Sequence, residues 1–272
     1  ARVPVHGPAW SFPGGGWVAP GAWVRSLSTA AGAACRFVGG TAVRCITRDG
    51  ATWVVHGADG QEVARSEVLV LAGAGDGLAL LDDRPWPVQA VRGQLSTAAC
   101  PPDLRLPAVP IAGGGYVMPE VAGRLVFGAT AQAGDTDPRL RDGDHRHNLA
   151  QLARLLPDAP PLPLAVLDGR VAWRCVVADR LPLLGAVPDT CDTTAEAAAL
   201  RFVPRLPGLF VFAGLGSRGI TWSALGGEVV AAAIAGAPSP LPAHLLDAVD
   251  PARFLARDAR RAGGARPGAS PG

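Results

Sequence analysis

The sequence predicts an α/β lobe interleaved with an antiparallel α+β lobe. Three observations carry that reading. Val68–Ala72 (VLVLA) and Leu209–Ala213 (LFVFA) are unbroken apolar runs ending in glycines, as strands buried on both faces of a parallel sheet do. The second run leads directly into a glycine-rich turn and a long helix of small residues reaching Ala235. Between the two runs lie alternating apolar and polar stretches punctuated by turn residues, the mark of an antiparallel sheet.

Taken in order, Ser11–Pro20 is a turn rich in Gly and Pro, and Gly21–Gly32 reads as a short helix. Cys35–Val38, Ala42–Thr47 and Thr52–His56 read as short strands. The last two are joined by the hairpin signal Arg48-Asp49-Gly50. Val63–Ala72 leads into the first buried strand. Pro87–Thr97 alternates as a strand, and Gly115–Pro119 with Arg124–Thr130 reads as an antiparallel pair. Asp142–Leu156 is a helix stopped by Pro157. Leu164–Val177 reads as strand, turn at Asp168-Gly169, and strand. A short helix is expected from about Pro251 to Arg260, followed from Ala262 by a Gly/Pro/Ser-rich tail expected to be disordered.

The 272 residues suffice for one large domain or two intertwined lobes. Hydrophobic residues make up 49% and mean hydropathy is +0.23. Yet no stretch approaches the roughly 18 charge-free apolar residues of a membrane span. All 25 basic residues are Arg, and Ala, Gly and Pro are abundant too, as codon drift in a GC-rich genome produces. A net charge of +2 gives no polyanion signal. Cys35, Cys45, Cys100, Cys175 and Cys191 are odd in number and none forms C-x-x-C. That pattern argues against a zinc site and a disulfide framework, and for a reducing, cytoplasmic setting. His145 and His147 stand two apart, on different faces of a helix, and read as solvent-facing rather than metal-binding.

Chemistry concentrates in a few residues. Gly214, Gly216 and Gly219 spell G-x-G-x-x-G between strand and helix. Such a turn aims backbone N–H groups and the positive end of a helix at an electron-rich ligand. No second strand with an acidic residue about 20 positions on follows, so the turn should serve part of a cofactor other than its adenosine half. A tight turn without a ligand fits the same residues. Arg174, in the apolar run VAWRCVV, suits a carboxylate because guanidinium offers two parallel donors. A structural ion pair with Asp179 or Asp168 is the alternative. Arg218 stands at a helix start, where a cation is unfavourable unless it has a task. Arg253, Arg257, Arg260 and Arg261 recur three or four apart and would form one basic helix face, either for a polyanion or as GC-driven solvated arginine.

Seven stretches, in order, together resemble the D-amino-acid oxidase/glycine oxidase superfamily of flavoproteins. They are FPGGGWVAP from Phe12, VLVLAGAG from Val68, VRGQLS from Val91, GGYVMP from Gly114, LVFGAT from Leu125, WRCVVADRLPLLGAVPD from Trp173 and FVFAGLGSRGITWSALGGEVVAAAIAG from Phe210. Within that superfamily they are most similar to the oxidoreductase half of bifunctional tRNA-modifying enzymes. The choice rests on the Trp173–Asp189 block, Gly216–Gly219 and DPARFLARDARR at 250–261.

The resemblance implies FAD as cofactor, held in part by Gly73, Gly93, Gln94, Gly214, Gly216, Ser217, Gly219 and Ile220. It implies Arg174 as the anchor of a substrate carboxylate, with Arg218 and Tyr116, the sole tyrosine, beside it. The expected reaction is oxidative removal of the carboxymethyl group from 5-carboxymethylaminomethyl(-2-thio)uridine at the tRNA wobble position. A glycine, sarcosine or D-amino-acid oxidase and an inactive remnant are the alternatives. The resemblance further implies tRNA as substrate and a methyltransferase portion upstream. It divides the chain into an incomplete FAD-binding lobe (1–87 and 175–261), an antiparallel substrate lobe (88–174) and a tail (262–272). The family's opening strand–G-x-G-x-x-G–helix is not found before Ser11, so the sequence reads as the C-terminal portion of a flavoenzyme.

Overall fold

The computed structural model describes residue 3 and residues 7–81, 86–190 and 199–264, with side chains to 261. Helix α1, Pro20–Ala31, opens on proline, whose fixed φ suits a first turn, and stops at Gly32 with φ +54°. None of its residues is buried. Strands β1, Val43–Asp49, and β2, Thr52–Gly57, form the expected hairpin, with Gly50 at φ +60° in the turn. Cys35–Val38 is not a strand; Phe37 stands exposed, with no partner strand among the described residues.

The expected run from Val63 splits in two. β3, Glu62–Ser66, pairs antiparallel with β2, and β4, Leu69–Leu71, joins a different sheet. A short α2, Ala74–Leu78, follows. β5 is Val88–Ala99, β6 Ile111–Ala112, β7 Tyr116–Val117, β8 Arg124–Gly128 and β9 Gln132–Ala133. Helix α3 is Asp142–Leu155. β10, Asp168–Val177, runs unbroken through the expected turn at Asp168-Gly169. The glycine there serves a close approach instead: a Cβ on Gly169 would run into the Leu95 carbonyl. β11, Leu183–Pro188, and β12, Arg205–Ala213, precede α4, Gly219–Ala235, α5, Ala243–Val249, and α6, Arg253–Gly264. Helix α6 thus extends into the expected tail, of which 265–272 lies outside the described residues.

The chain divides into two compact units. One is Ala1–Arg36 with Ala90–Arg174; the other is Phe37–Gln89 with Cys175–Gly272. In the first, the sheet runs β10-β5-β8-β7-β6, with β9 also on β5. The pairs β5–β8, β7–β8, β6–β7 and β5–β9 are antiparallel. Val117, Leu125 and Phe127, fully buried, meet Leu152 and Leu156 from α3 and its end. Each such side chain contributes about 1.5–3 kcal/mol when fully buried.

The second unit holds the sheets β1-β2-β3 and β11-β12-β4. β4 and β12 pair in parallel, Leu209↔Leu69 through Val211↔Leu71, and β11 lies antiparallel to β12. Alternation sorts the two faces of β12. Leu209, Val211 and Ala213 join Trp53, Leu71 and Leu183 in one core. Phe210 and Phe212 face Val229 and Val230 of α4 in another. Gly226 explains the small residues of α4: a Cβ there would lie 2.7 Å from the Phe212 ring. Among the described residues no helix is long and apolar enough to cross a membrane.

Candidate active site

In the first unit, three of the expected site residues come together. Arg174 sits near the end of β10, half-buried. Among the described residues its single hydrogen bond is long, from Nη1 to the Thr130 carbonyl at 3.4 Å. Neither carboxylate offered as a structural partner takes it: Asp168 pairs with Arg124 at 3.6 Å and Asp179 with Arg253 at 2.9 Å. Among the described residues no carboxylate lies within 4.0 Å of Arg174. Gly93 on β5 lies under the guanidinium, where a Cβ would be 2.5 Å from Nη1. Tyr116 on β7 is near enough for the charge of Arg174 to act on its hydroxyl. Burial pushes the Tyr116 phenol up, and Arg174 pulls it part of the way back. Below the ordinary phenol range Tyr116 is therefore a neutral hydrogen-bond donor and apolar wall.

Gln94 points the other way. Its Nε2 donates to the Arg141 carbonyl at 3.0 Å, and its Oε1 accepts from the Arg141 amide at 2.9 Å. Both ends of the amide are thereby held by the backbone, and the main-chain N–H and carbonyl are engaged as well, by Thr130 and Asn148.

Gln94 belongs to a buried polar scaffold that the sequence reading missed. Arg92, fully buried, donates to Asp144 at 2.6 Å, Gln132 at 2.9 Å and the Asp137 and Arg139 carbonyls. Asn148 donates to the Gln94 carbonyl and to Ser96 Oγ, both at 2.9 Å. Ser96 Oγ is 2.8 Å from His145 Nδ1. His145 is thus buried, not solvent-facing as expected; only His147 is exposed. The signal was present in the alternation Arg92, Gln94, Ser96 on one face of a strand, opposite Asp144, His145 and Asn148 at helical spacing. Beside the scaffold, hydrogen bonds from Arg141 hold Asp135 below the usual carboxylate range, and Arg139 and Arg141 do the same for Asp137.

The second unit carries the other expected residues. Gly214 and Gly216 adopt φ +72° and +55°, which glycine tolerates best. At Gly214 a Cβ would also collide with Val177 Cγ2. Gly216–Arg218 is a single 3-10 turn, and α4 opens at Gly219. Ser217, Arg218 and Ile220 are exposed at that opening. Arg218 makes one long bond, to the Arg180 carbonyl at 3.4 Å. The first N–H groups of a helix lack intrahelical partners, so this end offers donors and a positive potential.

The two halves of FAD make different demands. A ring that gathers negative charge fits the start of α4. The phosphates need a glycine cradle before a helix, and β4–Gly73–α2 does not fit. Helix α2 has five residues and carries Asp76 in its first turn, where a phosphate needs positive potential. Gly73 has a packing role there instead, since a Cβ would lie 3.2 Å from the Gly77 amide nitrogen, a tight contact.

The expected basic face of α6 forms only in part: Arg260 and Arg261 are exposed and Arg257 is half-buried. Arg253 is buried. It donates to both Asp179 oxygens at 2.9 Å and to the Leu181, Pro182 and Asp250 carbonyls. Arg257 lies 3.5 Å from Asp179, and Arg261 pairs with Asp258. Burial alone would raise Asp179, but the Arg253 hydrogen bonds and charge outweigh it and hold the carboxyl down. Among the described residues no cluster of His, Cys, Asp and Glu could hold a metal.

Comparison with known proteins bears on what these residues serve. A family model described as FAD dependent oxidoreductase (DAO) matches residues 1–233. The tRNA 5-methylaminomethyl-2-thiouridine biosynthesis bifunctional protein MnmC of Methylibium petroleiphilum is 51% identical over 260 residues, covering 90% of this chain and 40% of that protein. Its namesake from Burkholderia thailandensis is 43% identical over 267 residues, with 94% and 40% covered. The chain thus spans about 40% of the length of these curated relatives. Among solved structures, glycine oxidase from Geobacillus kaustophilus superposes with a TM-score of 0.61 at 25% identity, covering 77% of this chain and 51% of that one. L-proline dehydrogenase from P.horikoshii gives 0.60 at 16% identity, covering 79% and 54%, a likeness of fold.

Proposed function

The chain belongs to the FAD dependent oxidoreductase family, and from that premise we propose that it is the oxidoreductase portion of a tRNA-modifying enzyme. Its reaction is removal of the carboxymethyl group from 5-carboxymethylaminomethyl(-2-thio)uridine at the wobble position. The names of relatives at 43–51% identity support the substrate class. The observation that carries the chemistry is Arg174, half-buried and, among the described residues, without a carboxylate of its own.

The group removed makes the substrate an N-substituted glycine. Bound FAD would supply the hydride acceptor for oxidation of the carbon between amine and carboxylate. The resulting C=N bond is hydrolysed by water to glyoxylate and the primary amine. Arg174 binds the carboxylate by two parallel hydrogen bonds and so orients that carbon. Tyr116, kept neutral by burial, donates a hydrogen bond and excludes water. In the second unit, the start of α4 with Arg218 would offset negative charge on a bound flavin, with Gly214, Gly216, Ser217, Gly219 and Ile220 supplying the backbone of that turn. Gly93 and Gln94 of the first unit and Gly73 of the second complete the residues that the family resemblance assigns to the cofactor. A methyltransferase portion upstream and a cytoplasmic location complete the reading, in keeping with relatives named bifunctional.

The test uses the chain joined to whatever sequence its gene encodes upstream, assayed on tRNA carrying the modified uridine and on free glycine and sarcosine. Arg174→Ala should raise the KM for the carboxylated tRNA by roughly 10- to 100-fold, from charge-assisted bonds of about 1.5–3 kcal/mol. Unchanged turnover would remove Arg174 from the site. The likeness to glycine oxidase favours a second reading, a free amino-acid oxidase. Efficient oxidation of free glycine with no action on tRNA would establish that one instead.

A further inference from the structure

We propose that Gly93 and Thr130 are the positioning groups that set the direction of the Arg174 guanidinium. This rests on the reading of Arg174 as carboxylate anchor and names what makes it one. Along β5, Arg92, Gln94 and Ser96 turn into the buried scaffold and are fully buried. Gly93 alternates to the opposite face. The space a side chain at 93 would need is taken by Arg174: a Cβ there would lie 2.5 Å from Nη1, 3.1 Å from Cζ and 3.0 Å from the Thr130 carbonyl oxygen. Any residue larger than glycine turns the guanidinium away.

Thr130 supplies the second constraint. Its carbonyl accepts from Arg174 Nη1 at 3.4 Å. That carbonyl is held in place, because the Thr130 amide donates to the Gln94 carbonyl at 3.2 Å and Thr130 Oγ1 accepts from the Gln94 amide at 2.9 Å. Gln94 in turn is clamped at both ends of its side chain by Arg141. One edge of the guanidinium therefore meets fixed backbone. Its other donors have no protein partner among the described residues. An arginine stem has many rotamers. Fixing one edge before a ligand arrives lowers the ordering cost of binding and presents the free edge in one direction, as two-point carboxylate recognition requires.

The experiment is a double-mutant cycle on the chain, with N-methylglycine as probe, its dissociation constant read by NMR titration and folding checked by thermal melting. Gly93→Ala and Arg174→Ala should each weaken binding at least tenfold, and the double variant should bind no more weakly than Arg174→Ala alone. Binding by Gly93→Ala within twofold of wild type would overturn the proposal, as would losses that multiply in the double variant. Should Gly93→Ala fail to fold, Thr130→Val, which removes the hydroxyl anchoring the carbonyl, takes its place. A three- to tenfold loss seen only when Arg174 is present supports the proposal, and an equal loss in both backgrounds overturns it. Unchanged binding by Arg174→Ala would defeat the carboxylate reading instead. The positioning claim is then read on the Arg174 Nε–H resonance, which must move in Gly93→Ala, or in Thr130→Val where that variant takes its place; a resonance that stays overturns it.

Discussion

Replacing Arg253 by alanine should destabilise the second unit by about 3 kcal/mol, at the low end of the ~3–5 kcal/mol for breaking a buried ion pair. The Arg253 side chain is 6% exposed and makes five hydrogen bonds, two to Asp179 and one each to the Leu181, Pro182 and Asp250 carbonyls. Alanine leaves three carbonyls without this donor and strands a carboxylate. Asp179 keeps 21% exposure and has Arg257 at 3.5 Å, so water and the second arginine recover part of the loss.

The sign with pH follows from the depressed folded-state pKa of Asp179. Its contribution is fully present above the unfolded carboxyl pKa of about 3.9 and is lost as pH falls through the lower folded value. Urea denaturation followed by far-UV circular dichroism should therefore show a difference between wild type and Arg253→Ala that is full at pH 7 and shrinks below pH 4. A difference under about 1 kcal/mol, or one independent of pH, would refute the clamp. Loss of tRNA affinity at unchanged stability would restore the basic face that the sequence suggested.

Three further outcomes can be checked. Gly214→Ala should cost more than ~2 kcal/mol, combining the left-handed backbone penalty with the collision at Val177, whereas Gly219→Ala, with no atom closer than 3.9 Å to the new Cβ, should stay within about 0.5 kcal/mol by thermal melting. Tyr116 is the sole tyrosine, so ultraviolet titration reads it directly: its pKa should exceed the ordinary value near 10 and rise further in Arg174→Ala, and a fall would show that Arg174 does not act on it. Fluorescence titration of the chain should give riboflavin and FAD affinities within about tenfold of each other, because the residues that fit the cofactor fit its ring; FAD binding 100-fold tighter would reveal a phosphate site.

Much of this architecture was legible because it follows local rules. The hairpin at Gly50, the pairing of β7 with β8, the helix after Arg141 and the two buried strands near Val68 and Leu209 all rest on short-range patterns. The failures share a cause. Gly169 reads as a turn unless one knows that β5 passes close by. β11 was not foreseen because Gly185 and Pro188 lower its strand character, while the pairing with β12 overrides that. His145 reads as solvated until Ser96 is seen opposite it, 49 positions earlier. Each depends on a partner far away in the chain.

The arginines show how such partners separate scaffold from site. With no lysine in the chain, the mere presence of an arginine discriminates nothing. The tally of acceptors does. Arg92 and Arg253, both buried, have five hydrogen bonds each, two or three of them to carbonyls. Their charge is fully answered within the protein, and they are structural. Arg218 has one long bond but is exposed, so water completes its shell. Arg174 is different in kind: half removed from water, one bond at 3.4 Å, and a neutral tyrosine for a neighbour. A cation partly desolvated without an anion is costly, and the cost is relieved when an anion binds. Two strand arginines, Arg92 and Arg174, thus differ in the property that recognises a carboxylate, and among the described residues that property is the partner that Arg174 lacks.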